Sequence, residues 1–343
     1  MKLMISKIYQ IWKIKLILNL MLYPVAAFAI NETNYQVEFQ KKVLPYYQSG
    51  ESQTFESFDT TRIHYHRLIK GNAKAIVILT GRTEPTNKYA EVVYDLKNLG
   101  YDFFLMDSRG QGHSQRLIPE DKHKQYIKKY QHWKDDLKLL FDLDITPRGY
   151  SEVVFLGHSM GGAIGLNFAE SYPKAFSKII VSSPMIELLL EGKNESLVYT
   201  AMSFLKLIGR GKSYIPGGDR GTFDNPFKTN RGTHSKVRHQ MARLLEKEDE
   251  FLLMGAATVK WLIEGIQLGR KTYKNRKKLN SIPMLLFQAE DDRFSRYERQ
   301  NKLCEKHPNC QKFFMEGSKH EMLMEKDDIR QSVLTKIKAF LKS

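Results

Sequence analysis

The sequence predicts an α/β fold: a mostly parallel central sheet flanked by helices, with a helical cap inserted over one end. Two observations carry this. Short apolar runs alternate with amphipathic segments from Ala75 to Ser183, the pattern of strands buried on both faces and joined by crossover helices. The alternation then stops between Pro184 and Ser281 and resumes at Ile282.

Taken in order, Asn31 to Gly50 reads as irregular, with a short helix around Val37 to Val43. Ser52 to Phe58 and Arg62 to Ile69 alternate apolar and polar residues around Asp59-Thr60-Thr61, which predicts an antiparallel hairpin at the sheet edge. Ala75 to Thr80 and Tyr101 to Met106 are buried strands, separated by a helix from Lys88 to Leu99 that Gly100 stops. A long polar helix is expected over Gln125 to Leu143, then a strand ending near Leu156, a helix from Leu166, and a strand from Lys178 to Ser182. Met185 to about Glu246 reads as the cap, with helices at Leu188 to Leu190, Leu197 to Ile208 and Val237 to Leu245. A Gly/Pro-rich connection, Gly209 to Asn225, lies among them. A helix over Phe251 to Gly269 rejoins the core. The strand Ile282 to Gln288, a helix at Asn301 to Lys306, a short strand at Lys312 to Met315 and a closing helix from Asp327 to Leu341 complete the chain.

The N-terminus has the layout of an export signal over residues 1–29. Lys13 and Lys15 close a basic segment, Leu16 to Val25 is apolar, and Ala27-Phe28-Ala29 matches an A-x-A cleavage site. An uncleaved membrane anchor is the alternative, although Asn19 and Pro24 interrupt a stretch already short for a span. The remaining 30–343 form one domain. Of the formal net charge of +16, Lys2, Lys7, Lys13 and Lys15 supply four. A basic balance suits an anionic membrane surface, or simply a basic proteome; no basic-aromatic binding motif accompanies it, so nucleic acid is not expected as a partner. Cys304 and Cys310 are the only cysteines, with five residues between them. They are either a small disulfide loop, permitted outside the cytoplasm, or two free thiols. No Cys or His spacing suits a metal, and no cofactor is expected.

The chemistry centres on Gly157-His158-Ser159-Met160-Gly161, which follows an apolar strand and precedes a helix. In a strand–turn–helix context, G-x-S-x-G is a nucleophile elbow: the turn thrusts the serine hydroxyl out at the positive end of the helix. A serine hydroxyl becomes a useful nucleophile only when a histidine takes its proton and a carboxylate orients that histidine. His320, in the loop after the last strand, is the candidate base; His234 and His239 lie in the cap, and His307 precedes a strand. The carboxylate follows the strand at Met284 to Gln288, where Glu290, Asp291 and Asp292 all qualify. Two backbone N–H groups are needed for the oxyanion. Met160 supplies one, and Arg82, in the loop Thr80-Gly81-Arg82-Thr83-Glu84 after the first parallel strand, is the candidate for the other. Asp107-Ser-Arg-Gly-Gln-Gly-His-Ser114 reads as a structural turn beneath the site.

Four motifs in order, Asp107 to Ser114, Gly157 to Gly161, Gln288-Ala-Glu-Asp-Asp-Arg293 and Gly317-Ser-Lys-His-Glu321, resemble those of bacterial lysophospholipases, relatives of the monoacylglycerol lipases among the serine α/β-hydrolases. The cap stretches Thr233-His-Ser235 and Gly255-Ala-Ala-Thr-Val-Lys-Trp261 resemble the same branch, and the likeness runs from about Phe55 to the C-terminus. It implies Ser159 as nucleophile, His320 as base and, at the residue before Arg293, Asp292 as the acid. Relatives often carry His-Gly-x-Gly in the oxyanion loop where this chain has Thr80-Gly81-Arg82-Thr83, a change that leaves the backbone donor available. The implied activity is release of the acyl chain from lysophospholipids through an acyl-enzyme, with peripheral contact to an anionic membrane. The alternatives are a monoacylglycerol lipase, another carboxylesterase or a peptidase on the same scaffold, or an exported lipid-binding protein without chemistry.

Overall fold

The computed structural model describes residues 30–343; the export signal read from residues 1–29 lies outside them. Eight strands form one sheet in the order β1-β2-β4-β3-β5-β6-β7-β8. They are β1 (Glu51–Glu56), β2 (Arg62–Leu68), β3 (Lys74–Leu79), β4 (Tyr101–Met106), β5 (Glu152–His158), β6 (Lys178–Ser182), β7 (Met284–Asp291) and β8 (Cys310–Lys319). β1 and β2 pair antiparallel, as do β2 and β4, and every later pair is parallel. This is the α/β-hydrolase arrangement expected from the alternation.

The continuous apolar runs are explained by burial on both faces. In β3, Ala75, Val77 and Leu79 enter one core and Ile76 and Ile78 the other. In β5, Phe155 faces the first while Val154 and Leu156 face the second. The order also reverses at β3, which has β4 on one side and β5 on the other. At such a switch point the connections leave in opposite directions and open a crevice beyond the carboxyl ends of the strands.

Helices α1 (Ala90–Leu96), α2 (Gln131–Leu140), α3 (Ser159–Ser171), α4 (Glu195–Leu207), α5 (Lys236–Glu248), α6 (Val259–Asn275), α7 (Tyr297–Cys304) and α8 (Asp327–Lys342) complete the fold. α4 and α5 belong to the stretch between β6 and β7 that was read as the cap. Among the described residues no helix is long and apolar enough to cross a membrane.

Five segments differ from expectation. Residues 32–48 are helical nearly throughout rather than irregular. Tyr35, Phe39, Val43 and Tyr47 recur every fourth residue and are all buried, and the Tyr35 hydroxyl donates to Glu91 in α1 at 2.9 Å. The helix expected from Gln125 begins at Gln131, because Gln125 is committed elsewhere: its carbonyl accepts from the Thr258 N–H at 3.0 Å and the Thr258 hydroxyl at 2.7 Å. Likewise α6 begins at Val259, with the Thr258 hydroxyl capping it through the Trp261 N–H. Leu188 to Leu190 is extended instead of helical: the Leu189 N–H donates to the Phe294 carbonyl at 2.7 Å, drawing this segment against the loop after β7. β8 runs for ten residues, well beyond Lys312 to Met315. Cys304 and Cys310 are joined as a disulfide between the end of α7 and the start of β8.

Candidate active site

The ends of β3, β5, β7 and β8 converge on a cavity of about 280 Å³ whose lining includes Gly81, Arg82, Ser159 and His320. Ser159 sits directly after β5 and opens α3. Its φ of +49° is a left-handed conformation that a residue bearing a Cβ adopts only under constraint. The constraint comes from the neighbouring glycines. A Cβ on Gly161 would lie 2.3 Å from the Leu79 carbonyl oxygen, and one on Gly157 would lie 2.7 Å from the Cα of Gly162. Gly161 thus lets the first turn of α3 lie against the end of β3, and Gly157 lets the same turn fold back onto β5. Met160 lies in that first turn, where backbone N–H groups have no intrahelical acceptor and the helix dipole is positive.

His320 is buried at the far side of the cavity. Its Nδ1 lies 2.9 Å from both carboxylate oxygens of Asp292. A carboxylate there requires Nδ1 to carry the proton, which leaves Nε2 with a free lone pair. Asp292 is fixed by the N–H groups of Phe294 at 2.8 Å and Ser295 at 2.9 Å. Burial alone would raise its carboxyl, but His320 and these two N–H groups hold it below the ordinary aspartate value. The other two candidate carboxylates, at the end of β7, are engaged elsewhere. Asp291 pairs with Arg293 at 2.5 Å, and Glu290 accepts the Gly317 N–H at 2.7 Å. Of the three acids left open by the sequence, Asp292 is the one that touches His320.

Arg82 lines the cavity from the loop after β3. Its side chain, which the sequence left without a role, donates to the Gln125 amide oxygen at 3.0 Å and lies over the Trp261 ring at 5.6 Å. Burial lowers its pKa. The Asp107-to-Ser114 turn braces this loop from below. The Gln111 side chain donates to the Gly81 carbonyl at 2.8 Å and accepts the Thr83 N–H at 3.2 Å, while Asp107 accepts the Thr86 N–H at 2.9 Å. Asp107, His64 and His113 offer ligand atoms within 4.8 Å of one another. Asp107 is already occupied by the N–H groups of Thr86 and His113 and by the His64 ring, so the group serves as a hydrogen-bonded brace.

Sequence reasoning missed a second layer of charge under the cavity. The Glu84 carboxylate accepts the Gly81 N–H at 2.6 Å, the Tyr89 hydroxyl at 2.7 Å and the Lys88 ammonium at 2.6 Å. Lys88 also donates to Glu321, beside His320, at 2.8 Å. Burial would raise the Glu84 carboxyl, yet Lys88, His158 and the hydrogen bonds from Lys88 and Tyr89 outweigh it and leave it at about 2. The clue was the four-residue spacing of Glu84 and Lys88, which reads equally well as a solvated helical ion pair. His158 is buried with its ring centroid 4.7 Å from that of His320. Burial first, and His320 second, push it down to about 4 against the pull of Glu84 and Glu321. A neutral His158 spares His320 the repulsion of a second cation.

The fold and the cavity define a serine hydrolase of the α/β-hydrolase class. The chain belongs to the family described as "Serine aminopeptidase, S33", whose profile matches residues 71–327. It is 28% identical over 305 residues to a probable lysophospholipase L2 of Haemophilus influenzae, covering 88% of this chain and 95% of that one. It is 27% identical over 278 residues to the monoglyceride lipase of Rattus norvegicus, covering 79% and 83%. Among solved structures, a soluble variant of the Saccharomyces cerevisiae monoglyceride lipase matches with a TM-score of 0.65 at 21% identity, over 85% of this chain and 96% of that one. A carboxyl esterase from Bacillus coagulans matches with a TM-score of 0.69 at 18% identity, over 85% and 98%. At those identities the structures attest the shared fold.

Proposed function

We propose that this protein hydrolyses the carboxylic ester of single-chain glycerolipids, lysophospholipids first among them, through an acyl-enzyme. The observation that carries the reading is that His320, paired with Asp292, lines the same cavity as the elbow serine. Ser159 Oγ attacks the ester carbonyl while His320 Nε2 takes its proton, and Asp292 stabilises the imidazolium that forms. The N–H groups of Met160 and Arg82 stabilise the tetrahedral oxyanion. His320 then protonates the leaving glycerol oxygen. Water enters, gives its proton to His320 and attacks the acyl-enzyme, which releases the fatty acid and restores Ser159.

The cavity wall suits an acyl chain: Met185, Leu188, Leu190, Ile215, Trp261 and Leu262 line it. The names of the relatives, lysophospholipase and monoglyceride lipase, point to the same substrate class. On one side of α4, Leu197, Phe204, Leu207 and Ile208 are exposed, with Lys206, Arg210 and Lys212 at the same end. Apolar side chains flanked by cations favour an anionic lipid surface, where the substrate resides. We further propose that the protein acts outside the cytoplasm, on the strength of the A-x-A segment and the disulfide.

A substrate panel tests the reading: lysophospholipids, monoacylglycerols, short esters and aminoacyl amides, each with the wild type and Ser159→Ala. Fatty acid release from lysophospholipids that disappears in Ser159→Ala supports it. Turnover of aminoacyl amides alone would make the protein a peptidase, and no turnover of any substrate would favour a binding protein.

A further inference from the structure

Beside the cavity mouth lies a depression of about 560 Å³ lined by Arg231, Arg293 and Lys319 as well as Glu191 and Asp291. It shares Leu189 with the cavity that holds Ser159 and His320. A second hollow, of about 260 Å³, shares Asn230 and Arg231 with the depression, and Thr83, Glu84, Phe294 and Glu321 with the cavity. Arg231 therefore stands where the two approaches meet.

The charges in the depression are not equivalent. Asp291 is paired with Arg293, and Glu191 with Lys193 at 3.6 Å. Arg231 and Lys319 have no carboxylate within ion-pair distance among the described residues. Their positions relative to the chemistry are fixed by the backbone. Arg293 directly follows Asp292, and Lys319 directly precedes His320. Arg231 is tied to the His320 loop on both sides: the Lys319 ammonium donates to the Asn230 carbonyl at 2.9 Å, and the Glu321 N–H donates to the Gly232 carbonyl at 2.8 Å. The loops that hold the acid and the base thus each present a cation to the same depression, and a third cation is latched over it.

We infer that this depression is a phosphate subsite, with Arg231 and Lys319 as its principal donors and Arg293 as a third, for the phosphodiester of a lysophospholipid whose acyl ester lies at Ser159. The inference rests on the proposed ester hydrolysis and adds to it the group by which a lysophospholipid is told apart from a monoacylglycerol. Guanidinium and ammonium groups recognise phosphate oxygens through charge-assisted hydrogen bonds, and an arginine can engage two of them at once. Held beside the base loop, they would orient the glycerol so that its ester carbonyl meets the elbow serine. A neutral monoacylglycerol gains nothing from these cations.

Arg231 is exposed and touches neither core nor candidate catalytic group, so Arg231→Glu is expected to fold. The experiment compares kcat/KM for lysophosphatidylethanolamine, lysophosphatidylglycerol and monoacylglycerol carrying the same acyl chain. Arg231→Glu should lower kcat/KM for both phospholipids about tenfold, the worth of one partly solvated charged hydrogen bond. It should leave the monoacylglycerol unchanged, and Arg231→Lys should recover most of the loss. Equal losses on all three substrates, or none on the phospholipids, would overturn the subsite while leaving the esterase reading intact. A wild type that releases fatty acid from none of the three fails at the earlier step. Inorganic phosphate separates the two sources of the anion. Competition with lysophospholipid in the wild type, relieved in Arg231→Glu, supports the assignment. Phosphate binding at Arg231 without selective loss on the phospholipids would make this a free-anion site.

Discussion

The Glu84 carboxylate holds the Gly81 N–H at 2.6 Å, and through it the turn that presents Arg82 to the cavity. The same carboxylate is tied to Lys88, which reaches Glu321 directly after His320, so one buried ion pair links the candidate oxyanion loop to the neighbourhood of His320. Glu84 touches no substrate in this arrangement and acts as a positioning residue. Glu84→Gln removes the charge held at about 2 and weakens all three hydrogen bonds. Loss of an oxyanion donor costs on the order of a hundredfold or more in kcat, and displacement of one should cost about tenfold to a hundredfold. The fall should appear in kcat with KM nearly unchanged, after active enzyme has been counted by titration of Ser159 with a fluorophosphonate. A variant with less titratable serine but an unaltered rate per serine would reduce Glu84 to a folding role.

The contact between Asp292 and His320 separates two neighbouring carboxylates. Asp292→Asn keeps the shape but replaces the acceptor facing Nδ1, so the imidazole is no longer held in the tautomer that frees Nε2. The expected loss in kcat is about a thousandfold or more, by the logic of other serine hydrolases. Asp291→Asn breaks only the surface pair with Arg293 and should cost little beyond that. Steady-state rates on one ester substrate decide between them, and a larger loss in Asp291→Asn would move the acid by one residue.

Glu170, near the end of α3, is buried and takes no part in the proposed mechanism. Burial pushes its carboxyl up to about 8, against the hydrogen bonds from Asn275 and Asn167 and the pull of Lys278 and Lys271. In the unfolded chain it titrates at the ordinary glutamate value, so folding takes up a proton between those two pH values. Stability conferred by the protonated form is therefore full at acid pH, declines as the pH rises, and is gone above about pH 8. Glu170→Gln cannot ionise and should be more stable than the wild type at about pH 9, by roughly 2 kcal/mol, with the difference vanishing near pH 4. Thermal melts across pH check this: the two Tm curves should converge at the acid end, and parallel curves would mean that Glu170 ionises freely in the folded state.

The sheet was legible because β3, β4, β5 and β7 are buried on both faces, and continuous apolar runs of that length have few other readings. Ser159 was legible because Gly157 and Gly161 flank it at fixed spacing in one contiguous motif, although the contact that demands Gly161 is with Leu79, far back in the chain. Asp292 was a different case. Three carboxylates in succession look alike in sequence, and what distinguishes them is which one the Phe294 and Ser295 N–H groups fold around. Leu188 to Leu190 was misread because its apolar side chains fit a helix as well as a strand, and the pairing with Phe294 and Ser295 that decides the matter lies more than a hundred residues away. The helical start at residues 32–48 was obscured by three tyrosines and a proline, although its buried residues keep a four-residue period. The Glu84–Lys88–Glu321 link joins chain segments separated by 233 residues and leaves no local signature beyond one ordinary pair spacing.

The exposed side of α4 gives the last prediction. Leu207 is 81% exposed, Leu197 72% and Phe204 61%, an unusual outlay of large apolar surface on one helix. Leu197, Phe204 and Ile208 fall at intervals of seven and four residues and so share one side, and the cations Arg210 and Lys212 follow directly after the C-terminal end of the helix. Burying one such side chain in the headgroup region is worth about 1–2 kcal/mol, and the nearby cations add attraction to anionic lipid. The double variant Phe204→Glu, Leu207→Glu should therefore weaken sedimentation with phosphatidylglycerol-containing vesicles by about tenfold or more. Neither side chain lines the cavity, so hydrolysis of a short, water-soluble ester should be unchanged, whereas hydrolysis of lysophospholipid presented in vesicles should fall with binding. Retention of vesicle binding by the double variant would assign membrane contact to another surface. Equal loss on soluble and vesicle substrates would mean that α4 shapes the cavity rather than the approach to the lipid.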